Sequence, residues 1–262
     1  MAIIIYIFFR PQLILFAALL GLSVTASGEP LRISIAEFSS GQTDQSLPDH
    51  WQPLIFKKIP EHTRYQLVQD GSMTVVRADS QAAASGLVRR VTINLKEHPI
   101  LHWRWKINNP VQKSDARRKD GDDYPARIYI MFSYEPDRVG IFKKLKYKLG
   151  RKLFGDIPIA AINYIWEPRL PVDTMIDNPY TSFAKMIVVQ SGAKNVGQWI
   201  SEQRNVYQDY IQAFGEEPPP VNGVAIMTDT DNTGEQVTAF YGDIYFTNSP
   251  VDETVSEAAG GR

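Results

Sequence analysis

The residues with the most chemical potential lie in two short acidic segments. The first is Lys119-Asp-Gly-Asp-Asp-Tyr-Pro-Ala-Arg127, which places Asp120, Asp122 and Asp123 in a turn feeding a strand. Hard oxygens grouped this closely could hold Ca2+, or they could pair with Arg117, Arg118 or Arg127. The second is Asp229-Thr-Asp-Asn-Thr-Gly234. It begins like an EF-hand loop, but its fifth position is Thr233 and its twelfth is Phe240. EF-hand chemistry needs a bidentate Glu at that twelfth position, so the EF-hand is excluded. An Asx-rich hairpin turn is the plain alternative. A non-EF calcium site would draw on Asp122, Asp123, Asp229 and Asp231.

A more dispersed set follows from period two. Leu101, Trp103, Trp105 and Ile107 share one face of a strand, and His102, Arg104 and Lys106 share the other. Ala126, Ile128, Ile130 and Phe132 likewise stand opposite Arg127 and Tyr129, and Phe240, Ile244 and Phe246 stand opposite Tyr241 and Asp243. Were the polar faces to line one concave sheet, His102, Arg104, Arg127, Tyr129, Glu167, Tyr241 and Asp243 would form a groove suited to sugars, with aromatic platforms beside charged hydrogen-bonding groups. An ordinary solvated sheet face would carry the same pattern.

Catalysis has less support. The four histidines, His50, His62, His98 and His102, form no metal-ligand pair, and no Ser sits in a G-x-S-x-G elbow. Carboxylate-pair hydrolysis or lyase chemistry stays open, with Glu167, Asp229 and Asp243 as the candidates. The absence of cysteine removes disulfides, thiolate chemistry, Cys-type zinc sites and a lipoprotein anchor. With 28 basic and 29 acidic residues, the chain has no global electrostatic reason to bind nucleic acid.

The elements that must position these residues read as strands. Alternation marks Leu31–Phe38, Tyr65–Val68, Met73–Ala78, Leu87–Leu95, Ile100–Ile107, Ala126–Tyr134, Ala161–Trp166, Ala184–Gln190, Val224–Asp229 and Thr238–Phe246. Turn residues such as Gln69-Asp-Gly71 and Asn108-Asn-Pro110 separate them. Many short strands at this spacing predict a mainly β fold over residues 31–248: a two-sheet antiparallel β-sandwich of jelly-roll type with one or two short amphipathic helices. Trp199, Gln203, Val206, Tyr210 and Phe214 predict one helix, ended by Gly215 and Pro218-Pro-Pro220. Gly140–Phe154 predicts another, with an apolar stripe flanked by Lys143, Lys144, Lys146, Lys148, Arg151 and Lys152. Such a helix either caps the sandwich or meets an anionic membrane or lipopolysaccharide surface.

The two ends read as export and tail. Arg10 precedes a run from Leu13 to Val24, and Val24-Thr-Ala26 has the small residues of a signal-peptide cleavage site after Ala26. Ile3–Phe9 is also apolar, which leaves an uncleaved anchor from Ile3 to Val24 as the alternative; Arg10 inside such a span would cost about 2.5–3.5 kcal/mol. Residues 249–262 are small and polar and read as a disordered tail.

The ordered motifs Leu101-His-Trp-Arg-Trp-Lys106, Asp120-Gly-Asp-Asp-Tyr-Pro-Ala-Arg127, Asn163-Tyr-Ile-Trp166, Arg204-Asn-Val-Tyr-Gln-Asp-Tyr210, Phe214-Gly215, Ala225-Ile-Met-Thr-Asp-Thr-Asp-Asn232 and Tyr241-Gly-Asp243 resemble the bacterial domain-of-unknown-function family 3047, DUF3047. The likeness runs from about Phe38 to Phe246. It implies an exported bacterial protein, periplasmic or secreted, and supplies no activity or catalytic residues. More loosely, Trp51, the Ser85-Gly-Leu87 strand and the Trp103/Trp105 pair resemble carbohydrate-binding jelly rolls of the galactose-binding or concanavalin type. The resulting expectation is an envelope protein that binds a glycan or other polar polymer.

Overall fold

The computed structural model describes residues 31–43, 47–133 and 160–251. The expected signal segment, the basic stretch 140–154 and all but the first three residues of the tail lie outside the described residues. Among the described residues there are thirteen strands and one α-helix, and no helix is long and apolar enough to cross a membrane.

The strands are β1 (Arg32–Ala36), β2 (Gln52–Leu54), β3 (Arg64–Asp70), β4 (Met73–Gln81), β5 (Ala84–Ile93), β6 (Ile100–Ile107), β7 (Arg127–Phe132), β8 (Ala160–Glu167), β9 (Met175–Asn178), β10 (Thr181–Ser191), β11 (Ile200–Asn205), β12 (Val221–Asp229) and β13 (Gln236–Thr247), with α1 at Val206–Phe214. They form two sheets. The first has the order β11-β6-β13-β4-β3, with β1 also on β13, and the second has the order β2-β5-β12-β7-β8-β10-β9. The predicted mainly β, two-sheet sandwich is therefore the fold. It departs from strict antiparallel order at one place, because β8 and β10 run parallel.

Alternation explains why the sheets face each other. Trp103 and Trp105 of β6 and Tyr164 and Trp166 of β8 all point into the shared core. Trp103 stacks on Tyr164 at 5.3 Å between ring centroids, and Trp105 meets Trp166 at 6.0 Å. These contacts tie the sheets together, each buried aromatic ring contributing roughly 1.5–3 kcal/mol by area alone. Trp51, 5% exposed, joins the same core. The tryptophans behind the looser resemblance to sugar-binding jelly rolls are thus interior residues.

Two local expectations need correction. The helix predicted from Trp199 begins only at Val206. Residues 200–205 instead pair antiparallel with β6, Ile200 opposite Trp105 and Asn205 opposite Ile100. The open edge of β6 offers a hydrogen-bonding ladder that outweighs the helical period. Asn205 then caps α1 by accepting from the Gln208 backbone N–H at 3.0 Å, and Gly215 ends the helix at φ +71°.

The second correction concerns Tyr241. The β13–β6 register shifts between Tyr241 and Ile244. This bulge inverts the alternation, so Tyr241 joins Ile244 and Phe246 in the core instead of sharing an outward face with Asp243. Its hydroxyl donates to the Met227 carbonyl at 2.6 Å.

Candidate functional site

Two polar assemblies lie on opposite sides of the sandwich. The first centres on Arg127, at the start of β7, and Asp229, at the end of the neighbouring β12. Arg127 is 1% exposed and Asp229 is 2% exposed. The Arg127 Nε donates to Asp229 Oδ1 at 2.8 Å, and Nη2 donates to the other oxygen. Nη1 reaches the Tyr129 hydroxyl at 3.1 Å, Nη2 also donates to the Asp122 carbonyl, and the guanidinium lies 4.4 Å from the Tyr124 ring centroid. Burial opposes the Arg127 charge, but Asp229, Tyr129 and Asp122 together outweigh it and hold the group protonated. Burial pushes the Asp229 carboxyl upward against the pull of Arg127, and Asp123 and Asp122 push the same way.

The adjoining carboxylates come together in part. Oxygens of Asp123, Asp229 and Asp231 lie within 4.8 Å of one another, so these three could hold a cation. Their oxygens already receive protein donors: Asp123 accepts from the backbone N–H of Asn232 at 3.3 Å and of Thr233 at 2.6 Å, and from the Asn232 side chain at 3.0 Å, while Asp229 accepts from the Tyr124 N–H at 3.2 Å. Asp122 stands apart from the trio, its Oδ1 3.6 Å from Arg127 Nη1. Burial raises the carboxyls of Asp122 and Asp231, and Asp123 adds to both shifts.

The predicted single sugar groove divides. Arg127 and Tyr129 lie on the outward face of the second sheet, because their neighbours Ile128 and Ile130 point into the core. His102 and Arg104 lie on the outward face of the first sheet, with the whole sandwich between the two pairs. Tyr241 is in the core. Asp243 sits in the bulge, where it accepts from the Ser39 N–H at 2.9 Å and the Ser39 hydroxyl at 2.6 Å. Glu167, at the end of β8, accepts from the backbone N–H groups of Arg169 and Leu170. Of the three carboxylates named for hydrolysis, Asp229 therefore serves an arginine, Asp243 the 3-10 turn Phe38–Ser40 and Glu167 a loop, while Asp229 and Glu167 both act on the Tyr124 hydroxyl and, after burial, help to raise its pKa.

The second assembly covers the outward face of the first sheet. Register places Lys106, Phe240 and Arg77 side by side on β6, β13 and β4, with Trp199 just ahead of β11 at the β6 edge. Lys106 Nζ is 4.5 Å from the Phe240 ring centroid and 5.2 Å from that of Trp199. Asp70 Oδ2 receives both the Lys106 ammonium at 2.5 Å and the Trp199 indole N–H at 2.6 Å, and these donors hold its carboxyl below the usual range against the effect of burial. The Arg104 guanidinium lies 5.0 Å from the Trp199 ring centroid. Its side chain crosses the backbone at Gly242, where an added Cβ would fall 2.5 Å from Nε. Beside this group His102 stacks on Tyr245 at 4.6 Å and shares a 2.8 Å hydrogen bond with Thr247. Burial, aided by Arg32, lowers the His102 pKa to about 4. At 1% exposure His102 supports the Tyr245 ring and cannot itself face a ligand.

Sequence reasoning left Trp199, Phe240 and Asp70 out of the site. Trp199 carried a helical period that pointed elsewhere. Phe240 read as core because the bulge phase was unknown.

The DUF3047 family model, described as a protein of unknown function, matches residues 49–245. The chain belongs to this family. No curated protein matches this DUF3047 chain. One solved structure similar to it is the glycoside hydrolase domain of Endo-D from Streptococcus pneumoniae R6, with 8% identity, a TM-score of 0.33, and coverage of 77% of this chain and 22% of that one. The DUF3047 chain thus spans about a fifth of that structure's length.

Proposed function

We propose that this DUF3047 protein is an exported, non-catalytic binding protein of the cell envelope that takes a glycan on the outward face of its first sheet. The carrying observation is the Trp199–Phe240 pair. The two rings lie 6.5 Å apart between centroids, half-buried and held in place by Lys106, Arg104 and Asp70. Aromatic faces bind sugar rings by stacking, and adjacent fixed polar groups select among hydroxyl patterns. Export is supported by the signal-like residues from Arg10 to Ala26. A hydrolase or lyase working through paired carboxylates gains no support, since Glu167, Asp229 and Asp243 each have a separate structural partner.

Retention of the purified full chain on a panel of immobilised polysaccharides and isolated cell walls tests this reading. The expected result is retention of at least one polymer, lost in Trp199→Leu. Failure to retain the wild-type chain on any of them would remove the proposal.

A further inference from the structure

Resting on that reading of the first sheet, we infer that the glycan taken there is acidic, its carboxylate received by Arg104. Two cations on this face have carboxylate partners: Lys106 sits 2.5 Å from Asp70, and Arg77 sits 2.9 Å from Asp79. Arg104 has none within salt-bridge distance among the described residues. It is half-buried, with its stem laid over the Gly242 backbone and its head between Trp199 and the Met73 sulfur, 2.7 Å from Nη2. A guanidinium carries five N–H donors in a planar fork that matches a carboxylate in two parallel hydrogen bonds. Soft sulfur and an aromatic face leave most of that capacity unused.

The neighbours already tether Arg104, so a ligand need not order a free side chain to use it. Gly242 allows the guanidinium to lie low on the sheet, 5.0 Å from the Trp199 ring centroid, so that a sugar residue stacked on the Trp199–Phe240 pair can reach the arginine with its carboxylate. A neutral sugar would stack equally well but leave the fork unmatched. An uronic acid residue supplies both features.

Binding of the full chain to polygalacturonate and to fully methyl-esterified polygalacturonate, measured by affinity electrophoresis at two salt concentrations, tests this inference. The esterified polymer keeps the rings and removes the charges. The expected outcome is binding to the acid form only, weakened by salt, and reduced roughly ten- to hundredfold by Arg104→Gln, with thermal melts confirming that the variant is folded. Equal binding to both polymers, or binding unchanged in Arg104→Gln, would overturn the acidic preference and leave the glycan reading standing. Retention by a neutral glucan but by neither pectin would do the same. Equal binding to dextran sulfate that Trp199→Leu does not weaken would mark bulk charge attraction and overturn it as well. If no polysaccharide is bound, both proposals fall.

Discussion

Arg127 and Asp229 form a two-pronged ion pair buried against the outer face of the second sheet, with Nε to Oδ1 at 2.8 Å and each residue at most 2% exposed. The pair joins the first residue of β7 to the last of β12 and anchors the turn that carries Asp122 and Tyr124. Removing one partner strands the other charge away from water. Asp229→Ala is expected to cost about 3–5 kcal/mol, measured by urea denaturation. The double change Arg127→Met with Asp229→Leu should recover much of that loss. A double variant no more stable than Asp229→Ala would show that the pair does more than neutralise itself.

Asp231 is raised above its ordinary value by burial first and by Asp123 next. A raised carboxyl favours the fold while protonated, and that contribution is lost as pH rises through the folded pKa. Asp231→Asn should therefore raise Tm at pH 7, with a gain that shrinks as pH falls toward 4. Thermal melts across that range check the slope. A rise in wild-type Tm on adding calcium, abolished in Asp231→Asn, would instead put a cation among Asp123, Asp229 and Asp231.

His102 moves the other way, lowered to about 4 by burial and Arg32. The fold holds it neutral, so its contribution is present above the unfolded value of about 6.5 and is lost as pH falls through about 4. The imidazole resonances should stay in the neutral form down to about pH 5 in an NMR titration. His102→Gln should flatten the acid limb of the stability profile, and an unchanged limb would contradict this assignment.

Gly242 matters because Arg104 occupies the space where a side chain would begin. Gly242→Ala is expected to destabilise by about 1–3 kcal/mol through overpacking and to alter Trp199 fluorescence as the arginine is displaced. Most of that cost should vanish when Arg104 is also changed to Ala, which a double-mutant cycle reads directly. Additive costs would mean that Gly242 is required for the bulge alone.

The helix cap gives a smaller check. Asn205→Ala removes the side-chain acceptor for the Gln208 N–H at 3.0 Å and is expected to cost about 1 kcal/mol, seen as a reduced midpoint with an unchanged denaturant slope.

Local patterning along the chain sets the mainly β character, most strand positions and the inward faces of β6 and β7. Period two is a local property, and a strand with one buried face must display it. It also marked Arg127, Asp122, Asp123 and Asp229, since clustered charges near strand ends stand out in any linear reading. Which outward faces belong together is set only by the pairing of distant strands. Arg127 with Tyr129 and His102 with Arg104 have the same pattern along the chain, but sheet membership is set by hydrogen bonding between distant strands, and it places them on opposite sides of the sandwich. A single extra residue at the Gly242–Asp243 bulge exchanged the roles of Tyr241 and Phe240, and strand pairing to the β6 edge turned Trp199 from a supposed helix residue into the platform of the candidate glycan face.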